Sequence, residues 1–180
     1  DAYVDAARRD RMGSAGRAAV ERMSREIRNA LPNSVRITSD CIEFVPVLAA
    51  SNYVAVPTVA ASAAASTAFS SIRFFNAPTV NRAAVYPLNT ADIYTLSSTS
   101  VVSPTITSTP ANLISADVVS VTLSSSHRFP ADSPSKRWFM AADPVSFCLS
   151  GSNLYRYSVG GFHRTQRTPV SAPSLPNTVA

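Results

Sequence analysis

Cys41 and Cys148 carry the most definite chemistry in this 180-residue chain, and each lies in a run that alternates like a half-buried strand. Free cysteine packs well as a small hydrophobe, so two buried thiols are one reading. An even cysteine count in a chain of exported character fits a single disulfide instead. Such a bridge needs its two strands to be neighbours. Closing so long a loop would stabilise the fold by roughly 4–5 kcal/mol in the chain-entropy model.

The remaining reactive side chains form no recognisable site. His127 and His163 have no second ligand at metal spacing, and exposed loop histidines are the expectation for both. Asp40 and Glu43 are close in sequence but read as solvated residues at a strand start. Serine is abundant, yet no G-x-S-x-G elbow, glycine-rich phosphate loop or H-E-x-x-H pair occurs. The expectation is no active site, no metal and no cofactor. Arginines are concentrated at Arg8, Arg9, Arg11, Arg17, Arg22, Arg25 and Arg28. A basic helix can bind phosphates. Here Asp5, Asp10, Glu21 and Glu26 interleave with the arginines, as on a solvated face, which argues against nucleic acid as the partner.

Those arginines belong to an amphipathic pattern running from Asp1 to Leu31 and stopped by Pro32. Val20, Met23, Ile27 and Leu31 recur on one stripe, which predicts that this face packs on the rest of the domain. Asp5 and Arg9, Glu21 and Arg25, and Arg22 and Glu26 sit at i,i+4 and support the helix. Gly13 and Gly16 weaken its middle. The proximal half, with Arg8, Arg9, Arg11 and Arg17, has no such stripe and should project towards a partner.

After Pro32 the period changes to two. Val35–Thr38, Cys41–Val45, Ser71–Phe75, Ala83–Tyr86, Val118–Leu123, Arg137–Met140, Val145–Leu149 and Leu154–Tyr157 read as strands. The last two form a hairpin through Ser150-Gly151-Ser152-Asn153. Low-complexity stretches at Ala49–Ala68 and Ser97–Pro110 read as long surface loops. The expected organisation is a helix over 1–32, an antiparallel sheet with long loops over 33–162 in the same domain, and a proline-rich tail over 163–180.

The net charge of +5 is uneven, since Phe44 to His127 carries only Arg73, Arg82, Asp92 and Asp117. Charge-poor, Ser/Thr/Ala-rich sequence of this kind is common in extracellular β proteins. No stretch is long and apolar enough to span a membrane.

Glu21 to Arg36, followed by Cys41-Ile42-Glu43-Phe44-Val45-Pro46, resembles the segment that closes the helix in MshO-type minor pilins. These belong to the mannose-sensitive haemagglutinin (MSHA) type IV pilus and are related to the J-type pseudopilins of type II secretion. His127-Arg128-Phe129-Pro130, Ser133 to Phe139, Pro144 to Cys148 and Leu154 to Tyr157 are similar to the same family, and Val85 to Tyr94 more loosely. The resemblance covers about half the chain.

It implies an α+β, type IV pilin-like fold, with a long N-terminal helix packed on an antiparallel β-sheet. It implies a non-enzymatic subunit in pilus assembly or initiation, with other minor pilins and the filament as partners. The alternatives are a type II secretion pseudopilin, or an adhesive or DNA-binding tip module. The family's leader and apolar half-helix do not precede Asp1, so membrane anchoring would come from a segment outside this chain. The subunit would sit in the bacterial inner membrane and periplasm, then in the pilus on the cell surface. That oxidising location also favours the Cys41–Cys148 bridge.

Overall fold

The computed structural model describes residues 2–168. Helix α1 runs from Ala2 to Arg28, straight through Gly13 and Gly16. Ten strands follow: β1 (Arg36–Thr38), β2 (Cys41–Phe44), β3 (Val47–Ala55), β4 (Ser66–Ile72), β5 (Arg82–Val85), β6 (Val102–Thr105), β7 (Val118–His127), β8 (Arg137–Ala141), β9 (Val145–Ser150) and β10 (Asn153–Ser158). A short helix, α2 (Thr90–Tyr94), lies between β5 and β6.

The strands form two sheets, with orders β1-β2-β9-β10 and β6-β5-β8-β3-β4-β7. The larger one curls until its edges meet. Ile106 bridges Leu123, and the Thr107 N–H donates to the Thr122 carbonyl at 2.8 Å, so six strands make a nearly closed barrel. Closure hides edges that would otherwise invite pairing with other chains. Trp138 fills the interior, edge-on to Phe69 and Phe74, and its Nε1–H donates to Ser71 Oγ at 2.7 Å. Phe129, Met140, Val121 and Leu113 complete this core.

This corrects the expectation of one helix laid on one antiparallel sheet. The chain is mostly β, and the packed side chains of α1, Met23 and Ile27, lie against the smaller sheet. The two stretches read as loops supply the missing strands. β3 and β4 take up the two ends of Ala49–Ala68, half of it, and β6 lies within Ser97–Pro110. Along β3 the exposed and inward residues alternate as far as the buried Tyr53, but the inward positions just before it, Ala49 and Ser51, are small. Small side chains suffice because Trp138 and the surrounding aromatics supply the core volume. β4 ends at Ile72, short of the expected Phe75; Phe74 turns inward onto Trp138 while Phe75 is fully exposed.

The helix also stops earlier than Leu31. The Asn29 and Ala30 N–H groups bond to the Glu26 and Ile27 carbonyls, a tighter i−3 pattern, and Leu31 N–H turns away to the Val45 carbonyl at 2.7 Å. Leu31 is fully buried, not on the helix stripe but among Val45, Ala84, Ile93 and Tyr94, where α2 covers the outside of the barrel.

Candidate functional site

The root of α1 is the place where helix, sheet and tail converge. Met23, Ile27 and Ala30 pack on Phe44, Val145 and Phe147 of the smaller sheet. Val20, assigned to the same face by its spacing, is 55% exposed, because the helix has already risen off the sheet one turn earlier. Of the expected i,i+4 pairs, Arg22–Glu26 is the one that closes among the described residues, at 3.1 Å. Glu26 also receives Arg156 Nε of β10 at 2.9 Å, which ties the helix to the sheet.

On the opposite face of that sheet, Cys41 and Cys148 are register partners in β2 and β9 and are joined as a disulfide. Gln166 covers them, its amide donating to the Cys41 carbonyl at 3.1 Å. The expected tail therefore begins as packed structure, up to Thr168; its remainder, 169–180, lies outside the described residues.

Glu43 is fully buried here rather than solvated, and Arg36 meets it from β1. Burial raises the Glu43 pKa, and the Arg36 charge and hydrogen bonds, then Arg167, offset part of that rise. Arg36 donates further to the His163 and Arg164 carbonyls at 2.7 and 2.9 Å, and its guanidinium stacks 3.5 Å above the Tyr94 ring. Tyr94 in turn donates its hydroxyl proton to the Ser34 carbonyl at 2.7 Å. Arg36 thus holds together the smaller sheet, α2 and the tail. This cluster braces the fold.

His127, expected on an exposed loop, is fully buried at the end of β7, with Nε2 2.9 Å from the Ser100 carbonyl. A carbonyl only accepts, so the ring carries its proton on Nε2. Burial lowers its pKa. His163 is half-buried and shifted the same way, by burial first and then by the nearby Arg167 charge. Among the described residues no group of three or more His, Cys, Asp or Glu could hold a metal ion.

The rest of α1 is open. No residue of the helix is buried, and Arg8, Arg9, Arg11 and Arg17 are all exposed. At about 100° per residue those four arginines fall on different sides of the helix, so they make a positive collar rather than one patch. With Asp5 and Asp10 the segment keeps a surplus of two positive charges. Tyr3 and Met12 project from it at 86% and 75% exposure. Sequence reasoning missed the Glu26–Arg156 and Arg36–Glu43 pairs. The signal for the second was Arg36 and Glu43 flanking a two-residue turn, at equal distance from it.

No described helix is long and apolar enough to cross a membrane. Comparison with protein-family models, with curated proteins and with solved structures gives no match.

Proposed function

We propose that the chain is a non-enzymatic subunit of an assembled filament of the type IV pilus kind, a minor pilin taking part in assembly or initiation. One observation carries the reading. α1 is 27 residues long with none of them buried, and only its last turns dock on the β-rich head. A helix of that length spans roughly 40 Å. Its proximal half gains nothing from the head and is suited to lie beside helices of other subunits. Arginine's planar fork favours bidentate pairing with carboxylates on such helices. The reading rests on the helix and not on the head, whose near-barrel departs from the single sheet the resemblance implies.

In this reading the partners are other minor pilins and the filament, and a membrane segment would precede the chain. Export through the inner membrane and periplasm supplies the oxidising compartment in which Cys41 and Cys148 pair. Gene deletion followed by electron microscopy of the cells tests it. Loss or depletion of filaments, restored by the gene in trans, is the expected result. A normal number of filaments would overturn an assembly role, and normal filaments with lost attachment would point to a display module instead.

A further inference from the structure

Among the described residues β10 is an edge of the smaller sheet, paired with β9 alone. In an antiparallel pair, alternate residues exchange both hydrogen bonds with the neighbour, and the others turn their main chain away. Leu149 N–H donates to the Asp40 carbonyl on the far side of β9, and Leu149 faces Leu154 in the register. That fixes the phase. Leu154, Arg156 and Ser158 direct their N–H and C=O groups to the open edge. Among the described residues nothing outside the sheet bonds to the main chain of these three.

Beside this edge, where α1 rises off the hairpin, a cleft of about 270 Å³ opens. Phe147 and Leu154 give it an apolar floor, Ala18 and Ala19 are too small to fill it, and Arg22 and Arg156 stand over it. The two guanidiniums share the single carboxylate of Glu26, each through Nε. Among the described residues their terminal amino groups bond to nothing else. The cleft is therefore one negative charge short.

We infer that the β10 edge and this cleft form one docking site for an extended segment of another protein, added as a fifth strand and carrying a carboxylate beside an apolar side chain. Alternate side chains of an added strand point to the helix side of the sheet. There the carboxylate meets the free amino groups of Arg22 and Arg156, and the apolar neighbour two residues on covers Phe147 and Leu154. A lone anion would leave the apolar floor wet, and a helix would leave the strand edge unpaired. A second copy of this chain fits poorly. Two-fold pairing of β10 with itself brings two sets of Arg22 and Arg156 to one seam, where like charges repel. The inference stands on the β10 edge and the cleft beside it and does not need the pilus reading.

The test titrates the isotope-labelled full chain with a capped Thr-Val-Thr-Glu-Thr-Val peptide, which puts Val and Glu on one face, and with its glutamine counterpart, followed by amide NMR shifts. The glutamyl peptide should shift β10 and the Ala18–Glu26 turns and bind at least tenfold more tightly than the glutaminyl one. The Arg22→Gln/Arg156→Gln double variant should erase that preference. Ser158→Pro, which removes an outward N–H that the fold does not use, should abolish binding of both peptides while the melting temperature stays within a few degrees. Equal affinity of the two peptides, shifts confined to another surface, absence of saturable shifts, or dimerisation of the chain along β10 would each overturn the proposal. A normal filament count after gene deletion would leave it standing, so the two readings fail separately.

Discussion

Arg36 and Glu43 face each other across the β1–β2 pair, and the guanidinium holds one carboxylate oxygen at 2.6 and 3.1 Å from two of its nitrogens. The Glu43 pKa is nevertheless raised, so burial outweighs the attraction of Arg36. A carboxyl that keeps its proton more tightly when folded contributes stability that is full below its unfolded value of 4.5 and is lost as pH rises through the folded value.

Glu43→Gln should therefore flatten the fall in stability above pH 4.5 and cost less than about 1 kcal/mol at neutral pH. Arg36→Met should cost about 3–5 kcal/mol, because it leaves the buried carboxylate alone. Urea unfolding at a series of pH values separates the two variants. Equal losses would show that Glu43 is held by something other than Arg36.

His127 and His163 act in the opposite sense. Both are shifted below 6.5, so the unfolded chain binds more protons as the pH falls through that value. Their contribution is present above 6.5 and declines below it. In His127→Gln, thermal unfolding between pH 7 and pH 5 should show a shallower decline, with His163 carrying what remains. An unchanged slope would mean that His127 does not exchange protons on unfolding.

Val20 and Ile27 are two turns apart on one stripe, yet only Ile27 packs on Phe44 and Phe147. Ile27→Asp should destabilise the protein by about 2–4 kcal/mol through lost packing and a desolvated charge. Val20→Asp should change stability by less than about 0.5 kcal/mol, as exposed substitutions do. Circular dichroism melts decide between them. Equal losses would place the docked stretch of α1 a turn nearer the N-terminus.

Reduction of the Cys41–Cys148 bridge releases a loop of 107 residues. In the chain-entropy model the unfolded state then gains freedom worth roughly 4–5 kcal/mol. The Cys41→Ala/Cys148→Ala variant should lose about that much in denaturant unfolding. Thiol titration of the denatured native protein should find no free thiol; two free thiols would remove both the bridge and this source of stability.

The parts legible in the sequence were those where side-chain pattern and backbone demand coincide. The β9–β10 hairpin is one, since Gly151 takes the positive φ that its two-residue turn requires. The helix is another, although it ends at Arg28, before the proline expected to stop it. The barrel was illegible because β3 and β4 carry one large core residue each, Tyr53 and Phe69, and fill their neighbouring inward positions with small Ala49, Ser51 and Ser71, which blurs the hydrophobic alternation that marks a strand. Their burial is set by Trp138 and Phe129, which lie far from them in the chain. Glu43 and His127 were misread for a related reason. Polar side chains look solvated until the fold supplies Arg36 to one and the Ser100 carbonyl to the other.

The central claim is that the proximal half of α1 assembles against helices of other subunits. A photo-crosslinking residue placed at Met12 in the full-length protein, expressed in its native cells, tests this most directly. A second copy of the label at Phe75, fully exposed on the head, is the reference. The account predicts that Met12 captures other filament subunits through their helices and that Phe75 captures few or none. Crosslinks from Phe75 with none from Met12 would contradict it.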